Sequence, residues 1–226
     1  MKALFFLFCI LSGFCFYACD NIYDNLKPYY DEGEANYIAK VDSVSTKAGK
    51  NRVQLRWKVS TDPRIKELLV TWNDGSDKTI VPIDFNQLDE GRYYSVILHP
   101  IEEGDHIFYL SHIGNGHASV PVEAEAASYG AQYQASLEPR QIRSVTLQQE
   151  TAVITWRNIV ENCTVEITYT DISGTAIRRL VPPTEISTVI ENIRPGSSFT
   201  YESTYLPEAL SLDSFSVTSG IRYFPE

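Results

Sequence analysis

The chain has 226 residues and a net charge of −10, with 29 acidic against 19 basic side chains. That balance disfavours nucleic acid and other polyanions as partners, through simple repulsion. Two domains of ordinary size fit the length, and 14 tyrosines make aromatic rings a resource to follow along the chain.

The first element is the uncharged run "ALFFLFCILSGFCFYA" (3–18), which follows Met1-Lys2. It falls short of the roughly 20 residues of a spanning helix. One positive residue, an apolar stretch and a small residue before the cut describe a secretory signal peptide over residues 1–18. The next residue is Cys19. Ala18-Cys19 resembles the lipobox of bacterial lipoproteins, with Phe16 and Tyr17 where the usual box has Leu and a small residue. This looser form is similar to that of Bacteroidota lipoproteins. The resemblance implies a lipid on Cys19 and attachment to a membrane through it; the alternative is an ordinary signal peptide cut after Ala18.

Cys9 and Cys15 lie within the removed segment, so Cys163 is the other cysteine of the mature chain. A lone cysteine in a strand reads as a small buried hydrophobe, not half of a disulfide. Residues 19–35, "CDNIYDNLKPYYDEGEA", form an acidic tether without apolar periodicity. Acids just after the cysteine, Asp20 and Asp24, resemble the signals that send such lipoproteins to the outer face of the outer membrane. The localisation implied is the cell surface.

From residue 36 onward the chain reads as strands. "RVQLRWKV" (52–59) alternates, with Val53, Leu55, Trp57 and Val59 on the inward face. "IKELLVTWNDG" (65–75) ends in a turn signal, then come "KTIVPI", "YYSVILHP" and a hairpin-like "HIFYLSHIGNGHASVPVEAEA". The pattern then repeats. "TAVITWRN" places Trp156 at 99 residues from Trp57, and Val181-Pro182 follows Val81-Pro82 by 100. "TVEITYTDISG" answers "ELLVTWNDG", and "IRSV" (142–145) answers "VDSV" (41–44). A period near 100 residues with about seven strands per copy predicts two tandem immunoglobulin-like β-sandwiches, an all-β fold. The division falls at 36–134 and 135–226.

The subtype resembles fibronectin type III. The second copy carries Trp156, Tyr169 and the turn "IRPGSSF" (193–199); the first carries Trp57, Trp72 and "IEEGDHI" (101–107). On this alignment Ile107 stands opposite Phe199, and neither offers the hydroxyl of the family's tyrosine corner. Residues 35–140 also resemble a domain of unknown function found in Bacteroidota surface lipoproteins. The residues that carry the likeness are "YIAKVDSV", "GKNRVQLRW", "DPRI", "WND", "EEGDHIF" and "YGAQYQASLEPR". A looser second domain follows. The resemblance implies a place beside glycan-uptake or adhesion components, and it brings no assigned activity.

Chemistry is sparse. His106 and His112 share a strand face about 20 Å apart at 3.3 Å per residue. His112 and His117 flank "IGNG" but lack third and fourth ligands for zinc. "NDGSD" (73–77) has the oxygens of a calcium loop without its spacing, so a hairpin turn explains it. No nucleophile elbow, zinc-helix motif or phosphate loop occurs. No enzyme, cofactor or metal site is expected. The binding candidates are Tyr129 and Tyr133, in the interdomain segment, and Trp72; a cleft lined by the three would suit a sugar. The bland alternative is that both tyrosines pack the domains together. The first function expected is accessory glycan binding in a nutrient-uptake system. The second is structural or adhesive docking of protein partners at the cell surface.

Overall fold

The computed structural model describes residues 37–226; the signal segment, Cys19 and the acidic tether lie outside them. The described chain is all-β, built as two β-sandwiches in succession. In the first, β1 (Asp42–Gly49), β2 (Arg52–Lys58) and β5 (Tyr93–Leu98) form one antiparallel sheet in the order β1-β2-β5. The facing sheet is β4 (Asp77–Pro82), β3 (Glu67–Trp72), β6 (Gly104–Gly114), with β7 (His117–Ala118) and β8 (Val122–Ser128) sharing its far edge.

The second sandwich repeats this order. β9 (Ile142–Gln148), β10 (Thr151–Trp156) and β13 (Ser187–Ile190) make the small sheet. β12 (Ala176–Val181), β11 (Cys163–Thr170), β14 (Ser198–Tyr205), β15 (Phe215–Thr218) and β16 (Arg222–Tyr223) make the large one.

Side-chain alternation selects the core. Val53, Leu55, Trp57 and Val59 are all buried, as the period of two requires. They meet Leu68, Val70, Phe108 and Leu110 from the facing sheet. In the second sandwich Ala152, Ile154 and Trp156 face Val165, Ile167, Phe199 and Tyr201. Cys163 is a free thiol in that core.

The structure corrects one alignment. Ile107 is 44% exposed, whereas its neighbour Phe108 is buried. Phe108 lies against Trp72, as Phe199 pairs across the sheet with Tyr169. The partner of Phe199 is therefore Phe108. Counting from the turn glycines misjudged parity by one, because the first turn enters β6 at Gly104 itself, with φ of +138°.

The two tryptophans differ in one respect. Trp156 Nε1 donates to Thr188 Oγ1 at 3.0 Å, while Trp57 Nε1 is buried with no hydrogen-bond partner among the described residues. Thr188 lies opposite Ile154, and the matching position opposite Leu55 is Val96. A buried donor without an acceptor is costly. Val96→Thr is therefore expected to stabilise the first sandwich by about 1 kcal/mol, measured by urea unfolding. A loss of stability would mean that the hydroxyl does not reach the indole.

Candidate functional site

Each sequence candidate has a definite place. Tyr129 follows β8, and Tyr133 lies in a short helix, α1 (Ala131–Ser136), between the sandwiches. The segment has no helical period of apolar residues. The helix forms because Glu103, some thirty residues earlier, accepts from the amides of Gln132 (2.8 Å) and Tyr133 (2.6 Å). A carboxylate at a helix start satisfies donors that have no partner within the helix.

Tyr129 and Tyr133 meet edge to face at 4.9 Å, and Tyr133 meets Phe215 of the second sandwich the same way at 5.0 Å. The Tyr129 hydroxyl donates to Glu208 at 3.2 Å. Both tyrosines are half-buried. Trp72 is half-buried too, but its ring rests on Phe108 at 5.9 Å, and no ring contact joins it to either tyrosine. The structure thus brings two of the three candidates together, across a domain joint.

Other groups of that joint carried no signal in the sequence. Asp213, between β14 and β15, accepts from Arg52 Nε at 2.8 Å and Nη2 at 2.6 Å, and from the Lys50 amide at 2.7 Å. Leu212 N donates to Ala48 O, and Gln134 Nε2 to Ser216 O, both at 2.7 Å. The Lys50 ammonium lies over the Phe215 ring. Gly49 is required by this approach: a Cβ there would sit 2.7 Å from Asp213 Oδ2. The two Arg52 hydrogen bonds hold the Asp213 carboxyl below the usual carboxylate range. Asp213→Ala is expected to lower the melting temperature by roughly 2–4 °C and to split one calorimetric transition into two. An unchanged single transition would show that the joint does not depend on this carboxylate.

The remaining polar candidates are engaged locally. His112 is buried, with Nδ1 at 2.8 Å from Ala39 O, while His117 is exposed across the hairpin. Among the described residues no group of three or more His, Cys, Asp or Glu side chains could hold a metal ion. In "NDGSD", Asn73 Nδ2 donates to Asp77 at 2.6 Å, and Asp74 and Gly75 take positive φ in the turn. Asp171, in the second copy, accepts from Ser173 and Thr175. Of the pair Tyr93-Tyr94, Tyr94 packs on Trp57 and Tyr93 lies under the Arg56 guanidinium at 3.8 Å.

His112 has a measurable consequence. Burial pushes its pKa below the ordinary imidazole value, against smaller opposing effects of the Ala39 carbonyl and Asp62. The unfolded chain then takes up the proton first. Stability is full above pH ~6.5 and falls as the pH drops through the folded value below it. His112→Gln is expected to flatten the decline in melting temperature between about pH 7 and 5. Parallel profiles for both proteins would rule His112 out as its source.

The model of DUF4998, a domain of unknown function, matches residues 19–215. The chain belongs to this family. The DUF4998 match takes in the first sandwich and the second as far as the start of β15, and with them Gly49, Tyr129, Tyr133 and Asp213. The resemblance expected over residues 35–140, with a looser second domain, thus extends in one family unit across the joint. No curated protein matches the chain. Among solved structures it is similar to a two-domain fibronectin type III segment of chicken tenascin, at 17% identity and a TM-score of 0.35, covering 82% of this chain and 99% of that one. It is also similar to the first three fibronectin domains of chicken CNTN1, at 13% identity and a TM-score of 0.40, covering 84% and 68%. A third likeness is the chicken interferon gamma receptor alpha chain, at 14% identity and a TM-score of 0.34, covering 84% and 100%. The strand orders described above define the all-β sandwich fold of this DUF4998 chain without recourse to these likenesses.

Proposed function

We propose that this chain is a non-catalytic lipoprotein, anchored through Cys19 at the outer surface of the cell, that docks protein partners by its strand edges. The observation that carries the reading is the distribution of exposed apolar side chains. Ile80 on β4, Ile97 on β5, Leu180 on β12 and Val189 on β13 are each 47–60% exposed. All four strands are sheet edges. Exposed edges with apolar outer faces pair readily with another chain. Rings, by contrast, are mostly engaged in the cores or the joint. The DUF4998 match begins at Cys19, which supports a mature chain starting there.

Accessory glycan binding in a nutrient-uptake system is the second reading. It is favoured by one observation: Tyr129 and Tyr133 stay half-exposed beside the polar groups of Glu208 and Gln134.

Two experiments on the full chain test the proposal. Labelled fatty acid should enter the protein and fail to enter Cys19→Ala; incorporation into the variant would refute the anchor. Crosslinking on intact cells should join the chain to specific surface proteins. A chain that crosslinks to none but is retained on a glycan array, with retention lost in a folded Tyr129→Ala/Tyr133→Ala variant, would replace the first reading with the second.

A further inference from the structure

The two sandwiches differ at one edge. In the first, β1 crosses to lie beside β8, and Thr46 Oγ1 donates to Glu125 O of that strand at 2.9 Å. The approach is close because β8 reads Val-Glu-Ala-Glu-Ala-Ala-Ser, with Ala124 and Ala126 packed on the core beside Val44 of β1. In the second sandwich the matching strand is interrupted at Ser219–Ile221, and the bulkier Arg222 and Phe224 stand where Ala124 and Ala126 stood. Between β9 and β16 lies a groove of about 860 Å³, within the range of ligand sites.

We infer that this groove of the second sandwich receives an extended acidic peptide segment of a partner protein, added as a strand between β9 and β16. β9 has β10 as its ladder neighbour and β16 has β14, so each turns an open edge to the groove. Open edges offer backbone donors and acceptors at strand spacing. Ile142 and Val145, half-buried, contribute apolar side chains to the wall, and alternate apolar side chains of an added strand would meet them. In the first sandwich no such space opens, since β1 and β8, the counterparts of β9 and β16, lie directly against each other. Arg157 and Arg222 stand on the rim against one carboxylate, Glu138, in a chain whose net charge is −10. Arg157 bonds the neutral Gln141 at 2.8 Å, which leaves its charge available to an acidic residue. Strand addition of this kind takes affinity from the backbone and selectivity from alternate side chains.

This inference rests on the protein-docking reading above. Its test is selection of random linear 12-residue peptides on the full chain. Enriched peptides are expected to alternate apolar residues, to carry acids, and to slow amide exchange in β9. Val145→Trp, which fills the groove, should weaken them at least tenfold. Arg157→Glu, an exposed change that leaves the core alone, should do the same if the first variant fails to fold. Peptides that bind both folded variants as well as the parent, or no enrichment at all, would overturn the groove. Surface crosslinks to proteins that persist in Val145→Trp would do so too, while leaving the docking reading in place. An absence of crosslinks from the parent chain would overturn that reading itself.

Discussion

Trp156→Ala is expected to cost about 3–5 kcal/mol, the range for removing a large core ring, and to leave the second sandwich largely unfolded at 37 °C. The ring is 1% exposed and meets Tyr201 edge to face at 5.4 Å. The Arg140 guanidinium lies 5.1 Å from its centre. Its loss also strands the Thr188 hydroxyl, which is fully buried. Against a domain stability of about 5–15 kcal/mol, a change of this size is decisive. Trp156→Phe keeps most of the packing and should lose only the hydrogen bond, about 1 kcal/mol. Urea unfolding followed by circular dichroism measures both. A loss below about 1 kcal/mol for the alanine variant would be incompatible with core substitution, and would break the equivalence with Trp57.

The second large effect is expected at Arg140, a cation 2% exposed that has carbonyls rather than a carboxylate around it. Its Nε and Nη2 donate to Asn158 O, Nη2 also to Glu185 O at 3.0 Å, and Nη1 to Pro182 O at 3.5 Å. One side chain thus holds the loop after β10 and the loop after β12. Its own backbone is held as well, by Ser203 Oγ at its amide and the Tyr201 hydroxyl at its carbonyl. Burial pushes its pKa down from the ordinary value, yet arginine stays charged in proteins. Arg140→Ala removes the donors and leaves several carbonyls unpaired, each costing about 1–3 kcal/mol where buried. We expect a total loss of about 3–5 kcal/mol, since the loops relax toward water. Arg140→Lys should recover only part, because an ammonium lacks the planar fork that spans two loops. Full recovery by lysine would show that charge matters here and the fork does not.

The strand pattern was legible from particular residues. Trp57 and Trp156 at a spacing of 99 mark the repeat, and alternation from Val53 to Val59 marks the buried face. Where turns set the count, legibility ended: Ile107 and Phe108 exchange places because the buried ring stands four residues after Gly104 in the first copy and three after Gly196 in the second. Arg140 looked like any surface arginine in "LEPRQIRS". Its burial depends on carbonyls 18, 42 and 45 residues away, and no local pattern encodes them. Tyr129 and Tyr133 lie between β8 and β9, and nothing nearby in the chain points to Phe215 or Glu208 as their neighbours.

By itself the sequence determined the all-β fold, the repeat of one sandwich after another, and the inward face of strands such as β2 and β10. A period of two and the burial of apolar side chains are local and sufficient for that. Only the tertiary structure decided the joint, the carbonyl cage around Arg140 and the open edge between β9 and β16. These depend on groups as far apart as Arg52 and Asp213, 161 residues along the chain. Hydrogen bonds and close approaches act over a few ångströms in space, so their partners are set by how the strands fold back and not by their order.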